Sequence, residues 1–165
     1  MTGYLYDDEG NCLEVTGYLV DTNDLTVRSI EDGTSLTYAY NLSATDFSTT
    51  ASSPDSGYSS TVYLTIHYTT RPIGNYTESL LTSVSGYWEI EDSRVSVTSA
   101  NVSYVCIGLG TSYQSGSRSV SNNFSVNTGF FKYASEVDQT LGATLTLKYL
   151  MGTSRTWTFT LPNYK

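Results

Sequence analysis

Positive charge is scarce in this chain. Eight Lys and Arg stand against sixteen Asp and Glu, giving a formal net charge of −8 and a pI near 4.4. The few cations are scattered along the sequence, so no basic field exists to attract phosphate backbones or anionic lipid. Nucleic acid and direct membrane insertion are therefore excluded as expected partners. Histidine occurs once, at His67, which leaves little material for a catalytic triad or a zinc site. Cysteine occurs twice, as Cys12 and Cys106, so a four-thiolate metal centre is excluded and one disulfide or two buried thiols remain. Long apolar runs are also missing. The longest, from Tyr104 to Leu109, falls far short of the ~20 residues a spanning helix requires. The opening Met1-Thr2-Gly3-Tyr4 has no charged start and no apolar stretch, so any export leader is expected to have been removed. The closing Leu161-Pro162-Asn163-Tyr164-Lys165 has no hydrophobic tail behind it and reads as no wall anchor.

What is abundant is hydroxyl and tyrosine. The 165 residues include 24 Ser, 25 Thr and 15 Tyr, a composition suited to pleated, half-exposed strands and poor in the Ala, Leu and Lys that favour helices. Period-2 alternation is the dominant pattern, and it places successive side chains on opposite faces of a strand. Leu145, Leu147 and Tyr149 alternate with Thr144, Thr146 and Lys148. After a turn, Trp157, Phe159 and Leu161 alternate with Thr156, Thr158 and Thr160. Val62, Leu64, Ile66 and Tyr68 alternate with Thr61, Tyr63, Thr65 and His67, which places His67 on a polar face. Acidic, Gly-containing or Asn-containing turns at 7–11, 21–24, 31–33 and 91–94 separate strands, including one expected at Leu25–Ile30. Val95–Thr98 and Val102–Leu109 read as two strands, and Phe124–Tyr133 as another. A loop or internal linker is expected around 48–60, and one short helical turn at 135–138. The expectation is a single all-β domain over 1–165, an antiparallel β-sandwich of eight to ten strands, with a β-barrel as the alternative.

Val-Ser-Val-Thr-Ser at 95–99, Ser103-Tyr104-Val105-Cys106 and Trp157-Thr158-Phe159-Thr160 resemble segments of small secreted β-domain proteins of unknown function from Gram-positive bacteria. The likeness covers about a third of the chain. It implies an extracellular or cell-surface location and assigns no site residues.

No catalytic or cofactor motif stands out. A Cys106–His67 dyad would need neighbouring strands and an activated thiol, and Cys106 sits in an apolar segment that raises a thiol pKa. Glu89 and Glu91 share one strand face at glycosidase-like separation, but adjacent exposed positions do not push two carboxyls apart in pKa. Asp7, Asp8, Glu9 and Asn11, and Asp21, Asn23 and Asp24, supply the hard oxygens a structural calcium would take, although neither turn has an EF-hand pattern. Four Asn-x-Ser/Thr sequons, at Asn41, Asn75, Asn101 and Asn123, are about what this Ser/Thr content produces by chance. The lysines Lys132, Lys148 and Lys165 offer little for an isopeptide bond to asparagine. Trp88 and Trp157 follow apolar faces and belong to the core.

Tyr58, Tyr76, Tyr87 and Tyr113 fall in expected loops or on wet faces. There a flat apolar ring with a hydroxyl suits stacking on a glycan or on a protein. The expected function is a secreted or surface-associated, non-catalytic binding module for glycan or protein. The alternative is a structural or assembly subunit of a surface or phage-type structure.

Overall fold

The computed structural model describes residues 1–20, 33–43, 58–108 and 113–165; the side chains of residues 58 and 59 are not among what it describes. The strands are β1 (Thr2–Tyr6), β2 (Cys12–Val20), β3 (Thr34–Ser43), β4 (Tyr58–Ile73), β5 (Tyr76–Ile90), β6 (Val95–Ile107), β7 (Gln114–Ser119), β8 (Phe124–Asn127), β9 (Ala134–Ser135), β10 (Thr140–Met151) and β11 (Arg155–Tyr164). There is no helix among the described residues. All pairings are antiparallel, in the order β7-β6-β10-β11-β1-β2-β3-β4-β5-β8, with β9 against the far end of β5. The fold is thus the expected all-β antiparallel architecture, built as one curled sheet whose two halves face each other.

The curl is made in β2. Its first residues, Cys12–Thr16, pair with β1, and its last, Gly17–Val20, pair with β3, so the strand leaves one leaf and enters the other. Gly17 is the corner. A Cβ there would collide with the Tyr40 ring, and its N–H donates to the Met1 carbonyl at 2.8 Å. A strand that bends between sheets is a standard way to turn a sandwich corner, and glycine permits the close approach. The first leaf is β7-β6-β10-β11-β1 with the start of β2. The second is the end of β2 with β3-β4-β5-β8 and β9.

Between the leaves lies one apolar cluster that includes Leu5, Leu42, Leu64, Ile66, Leu81, Leu145, Leu147 and Phe159, all with no exposed surface. Each such side chain contributes about 1.5–3 kcal/mol by leaving water. Trp88 and Trp157 are buried with it, at 8% and 6% exposure. Polar pins cross the core as well. Tyr40 donates its hydroxyl to the Pro162 carbonyl at 2.5 Å, and Asn163 donates to the carbonyls of Leu36 and Leu64 at 2.8 and 2.7 Å. Tyr149 and Ser60 share a hydroxyl bond of 3.0 Å. These bonds fix the register of one leaf over the other, since a buried amide that slipped would lose both carbonyls.

Several expectations change. Val95–Ile107 is one strand rather than two, because a bulge opposite Lys148/Tyr149 absorbs the break in alternation. The strand expected over Phe124–Tyr133 stops at Asn127. Residues 135–138 form no helical turn: Ser135 pairs with Glu78, and Asp138 takes a positive φ of 55°. Strand β7, Gln-Ser-Gly-Ser-Arg-Ser, was not foreseen because it has no apolar residue to alternate, and it forms on the template of β6. Tyr58–Ser60, assigned to a linker, open β4; the remainder of 48–57, the turn at 21–24 and the strand at Leu25–Ile30 lie outside the described residues. The Cys12–Cys106 bridge does not form. Cys12 is exposed at the β2 margin of the first leaf, whereas Cys106 is buried on β6. Four strand spacings of ~4.8 Å separate them, well beyond the ~7 Å limit for a disulfide.

Candidate functional site

The outward face of the first leaf is a field of small hydroxyls. Registers place Ser117, Ser103, Thr144 and Pro162 in one row across β7, β6, β10 and β11. Ser119, Asn101, Thr146, Thr160, Tyr4 and Glu14 form another row across six strands. Alternation explains the composition: every second residue of Thr144–Lys148 and Thr156–Thr160 turns away from the core. Pro162 is tolerated in β11 because β1 pairs only with residues 158–160, leaving that stretch as a local edge.

At the β7 end this face sinks into an open groove of about 530 Å³. Val105 and Ile107, two residues apart on β6, make an apolar floor. Ser115 and Ser117 of β7 stand on one side, and Thr140 of β10 stands on the other. Tyr113, 70% exposed, stands at one end. Tyr164 forms the β11 wall. Its ring occupies the space above Gly142, where a Cβ would strike it, and its hydroxyl bonds Thr144 Oγ1 at 2.9 Å. Among the described residues, no acid, no base and no cation lines the groove. What it offers is two phenol rings, a strip of aliphatic surface and a set of neutral hydroxyls that both donate and accept.

The open side between the two terminal strands, β7 and β8, is tied by two amides. Gln114 accepts at 3.1 Å from the N–H groups of both Phe131 and Lys132 and donates to the Lys132 carbonyl at 2.7 Å. Asn122 accepts from Trp88 N–H and donates to Trp88 C=O, both at 2.9 Å, in the manner of a neighbouring strand. The residue that follows Tyr113 is therefore held at both sides, by β6 and by the returning chain.

Of the tyrosines singled out from sequence whose side chains are described, Tyr113 lines the groove and Tyr76 and Tyr87 do not. Tyr76 is exposed at the tip of the β4–β5 hairpin. Tyr87 lies on the same strand, roughly 36 Å away at ~3.3 Å per residue. It is half-buried and stacked on Tyr63 with ring centroids 4.4 Å apart. Burial, reinforced by Tyr87 and Glu89, pushes the Tyr63 hydroxyl up to about 12. Tyr58 starts β4, and its side chain is outside the described residues. Tyr164 was missed because it closes a stretch read as a chain end. Its outward phase, continuing Thr156-Thr158-Thr160, was the available signal.

His67 corrects the sequence reading most sharply. It lies on the outward side of β4 yet is 7% exposed. Ser35 Oγ bonds its Nδ1 at 2.8 Å and Ser85 Oγ bonds its Nε2 at 2.9 Å. Burial holds its pKa below the usual 6.5. With hydroxyls on both nitrogens it bridges β3, β4 and β5, far from the Cys106 thiol, which faces the core and is pushed up in pKa by burial. Glu91 lies beyond the end of β5 and does not share a strand face with Glu89. In the 7–11 turn, Asp7 accepts from the N–H groups of Glu9 and Asn11 and from the Asn11 amide, at 3.0, 2.7 and 2.7 Å. Those bonds lower its pKa, with the Asn11 side chain contributing most. Among the described residues no three His, Cys, Asp or Glu converge as a metal-binding group.

Comparison with protein-family models, with curated proteins and with solved structures finds no match to this chain.

Proposed function

We propose that this chain is a non-catalytic recognition module, secreted or surface-associated, that holds an uncharged ligand, glycan or protein, against the outward face of its first leaf. The observation that carries the reading is the groove bounded by Tyr113 and Tyr164, whose described lining is aromatic, aliphatic and hydroxylic. Aromatic rings and neutral hydroxyls supply affinity through stacking and hydrogen bonding, the forces that remain when Coulomb attraction is absent. The net charge of −8 on the whole chain disfavours anionic partners.

The test is a binding screen by calorimetry against neutral glycans and uncharged peptides. Tyr113→Ala is expected to cost about 1–2 kcal/mol of binding with unchanged folding, and affinity is expected to vary little with salt. A ligand whose affinity collapses in salt, or is indifferent to Tyr113, would remove the groove from consideration.

A further inference from the structure

Resting on that reading, we infer that the occupant of the groove is a neutral oligosaccharide of pyranoses with equatorial hydroxyls, lying along β6. The floor and the sides divide the work. Val105 and Ile107 present a strip of aliphatic surface one sugar ring wide, bounded one strand away on each side by hydroxyls: Ser115 and Ser117 of β7, and Thr140 of β10. The two sides stand about 10 Å apart at ~4.8 Å per strand. A pyranose has the matching division. Its C–H faces are apolar, and equatorial hydroxyls leave its rim in the ring plane, where they meet Ser and Thr that can donate or accept as required. An axial hydroxyl would be driven onto the Val105–Ile107 floor, where it loses water and finds no partner.

A peptide fits less well. Among the described residues the groove offers no charged group, and the outer edge of β7 lies beyond the groove rather than in its floor. Tyr113, exposed at the end of the strip, is placed to stack on a terminal ring, while Tyr164 is fixed by its bond to Thr144 and serves as a rigid wall.

The experiment uses the isotopically labelled full chain in amide-detected NMR titrations. The probes are neutral hexasaccharides of β-1,4-linked glucose, xylose and mannose, an uncharged Ser/Gly/Pro-rich peptide, and polygalacturonate. The expected result is that the gluco or xylo chain shifts the amides of Ser103, Ser115, Ser117 and Gly142. The manno chain, with its axial hydroxyl, should bind at least about fivefold more weakly, and the peptide and polyanion should not bind there. Tyr113→Ala should weaken the sugar about tenfold. Val105→Lys should abolish binding, and Val105→Thr, which keeps the branched shape of the floor, should weaken it severalfold at unchanged melting temperature. Equal binding of the manno chain overturns the equatorial assignment. Binding of the peptide in place of every sugar overturns the glycan assignment and leaves the recognition reading standing. Absence of binding by all probes, or binding that survives both the Tyr113 and Val105 substitutions, overturns both.

Discussion

The two leaves turn similar hydroxyl-rich faces outward, and the structure treats them in opposite ways. On the first leaf Ser103, Thr146 and Thr160 are not buried, and their face ends in a groove. On the second leaf Thr37 and Thr65, at 1% and 8% exposure, bond each other across 2.9 Å, and His67 is enclosed between Ser35 and Ser85. A hydroxyl in water is satisfied whatever its neighbours do. A buried hydroxyl must have a partner, so the polar residues of the second leaf act as cross-strand fasteners while those of the first remain available to a ligand.

The sharpest way to break this comparison is to truncate one residue on each face. His67→Ala should destabilise the protein by about 2–4 kcal/mol in urea unfolding, since it opens a cavity and strips partners from two serines. Thr160→Ala should change stability by no more than about 0.5 kcal/mol. Equal effects would dissolve the distinction between the leaves. A smaller effect is expected from Thr37→Val, about 1 kcal/mol, because Thr65 is left unpaired. The double change Thr37→Val with Thr65→Val should recover part of that loss, a coupling that a double-mutant cycle reads directly.

The third measurement is stability against pH. Burial lowers the pKa of His67 in the folded state, so above about 6.5 the imidazole is neutral in both states and its contribution is fully present. As pH falls below 6.5 the unfolded chain takes up the proton first, and stability declines until the native His67 also titrates. The depressed pKa values of Asp7 and Asp92 act lower, in the carboxylate range, where protonation weakens the bonds these two half-buried carboxylates accept. His67→Gln should flatten the decline just below pH 6.5 and leave the more acidic limb in place; a decline unchanged by that substitution would show that His67 is not shielded.

Much of the fold was legible along the chain. The alternation of Ala143–Leu150 and of Trp157–Leu161 marks a hairpin, and the structure pairs Leu145 with Leu161 and Leu147 with Phe159. The Asp7–Asn11 turn joins β1 to β2 as its composition indicates. Tyr113 was legible as an exposed ring, but not its setting: Val105 and Ile107 come from β6, Thr140 from β10 and Tyr164 from β11. Only pairings between distant segments bring these residues into one groove. The four tyrosines could not be ranked from sequence, because exposure depends on what packs against a strand from elsewhere in the chain.

By itself the sequence determined the strand class, the inward placement of Trp88 and Trp157, and the hydroxyl-rich character of the outward positions, since a period of two and a residue's own chemistry are local properties. The tertiary structure decided which outward face meets water, that Cys12 and Cys106 point apart, that β7 exists at all, and that His67 is enclosed. Each of these depends on which distant segments of the chain become neighbouring strands. A period of two assigns side chains to two faces of a strand, and only long-range packing determines what each face touches.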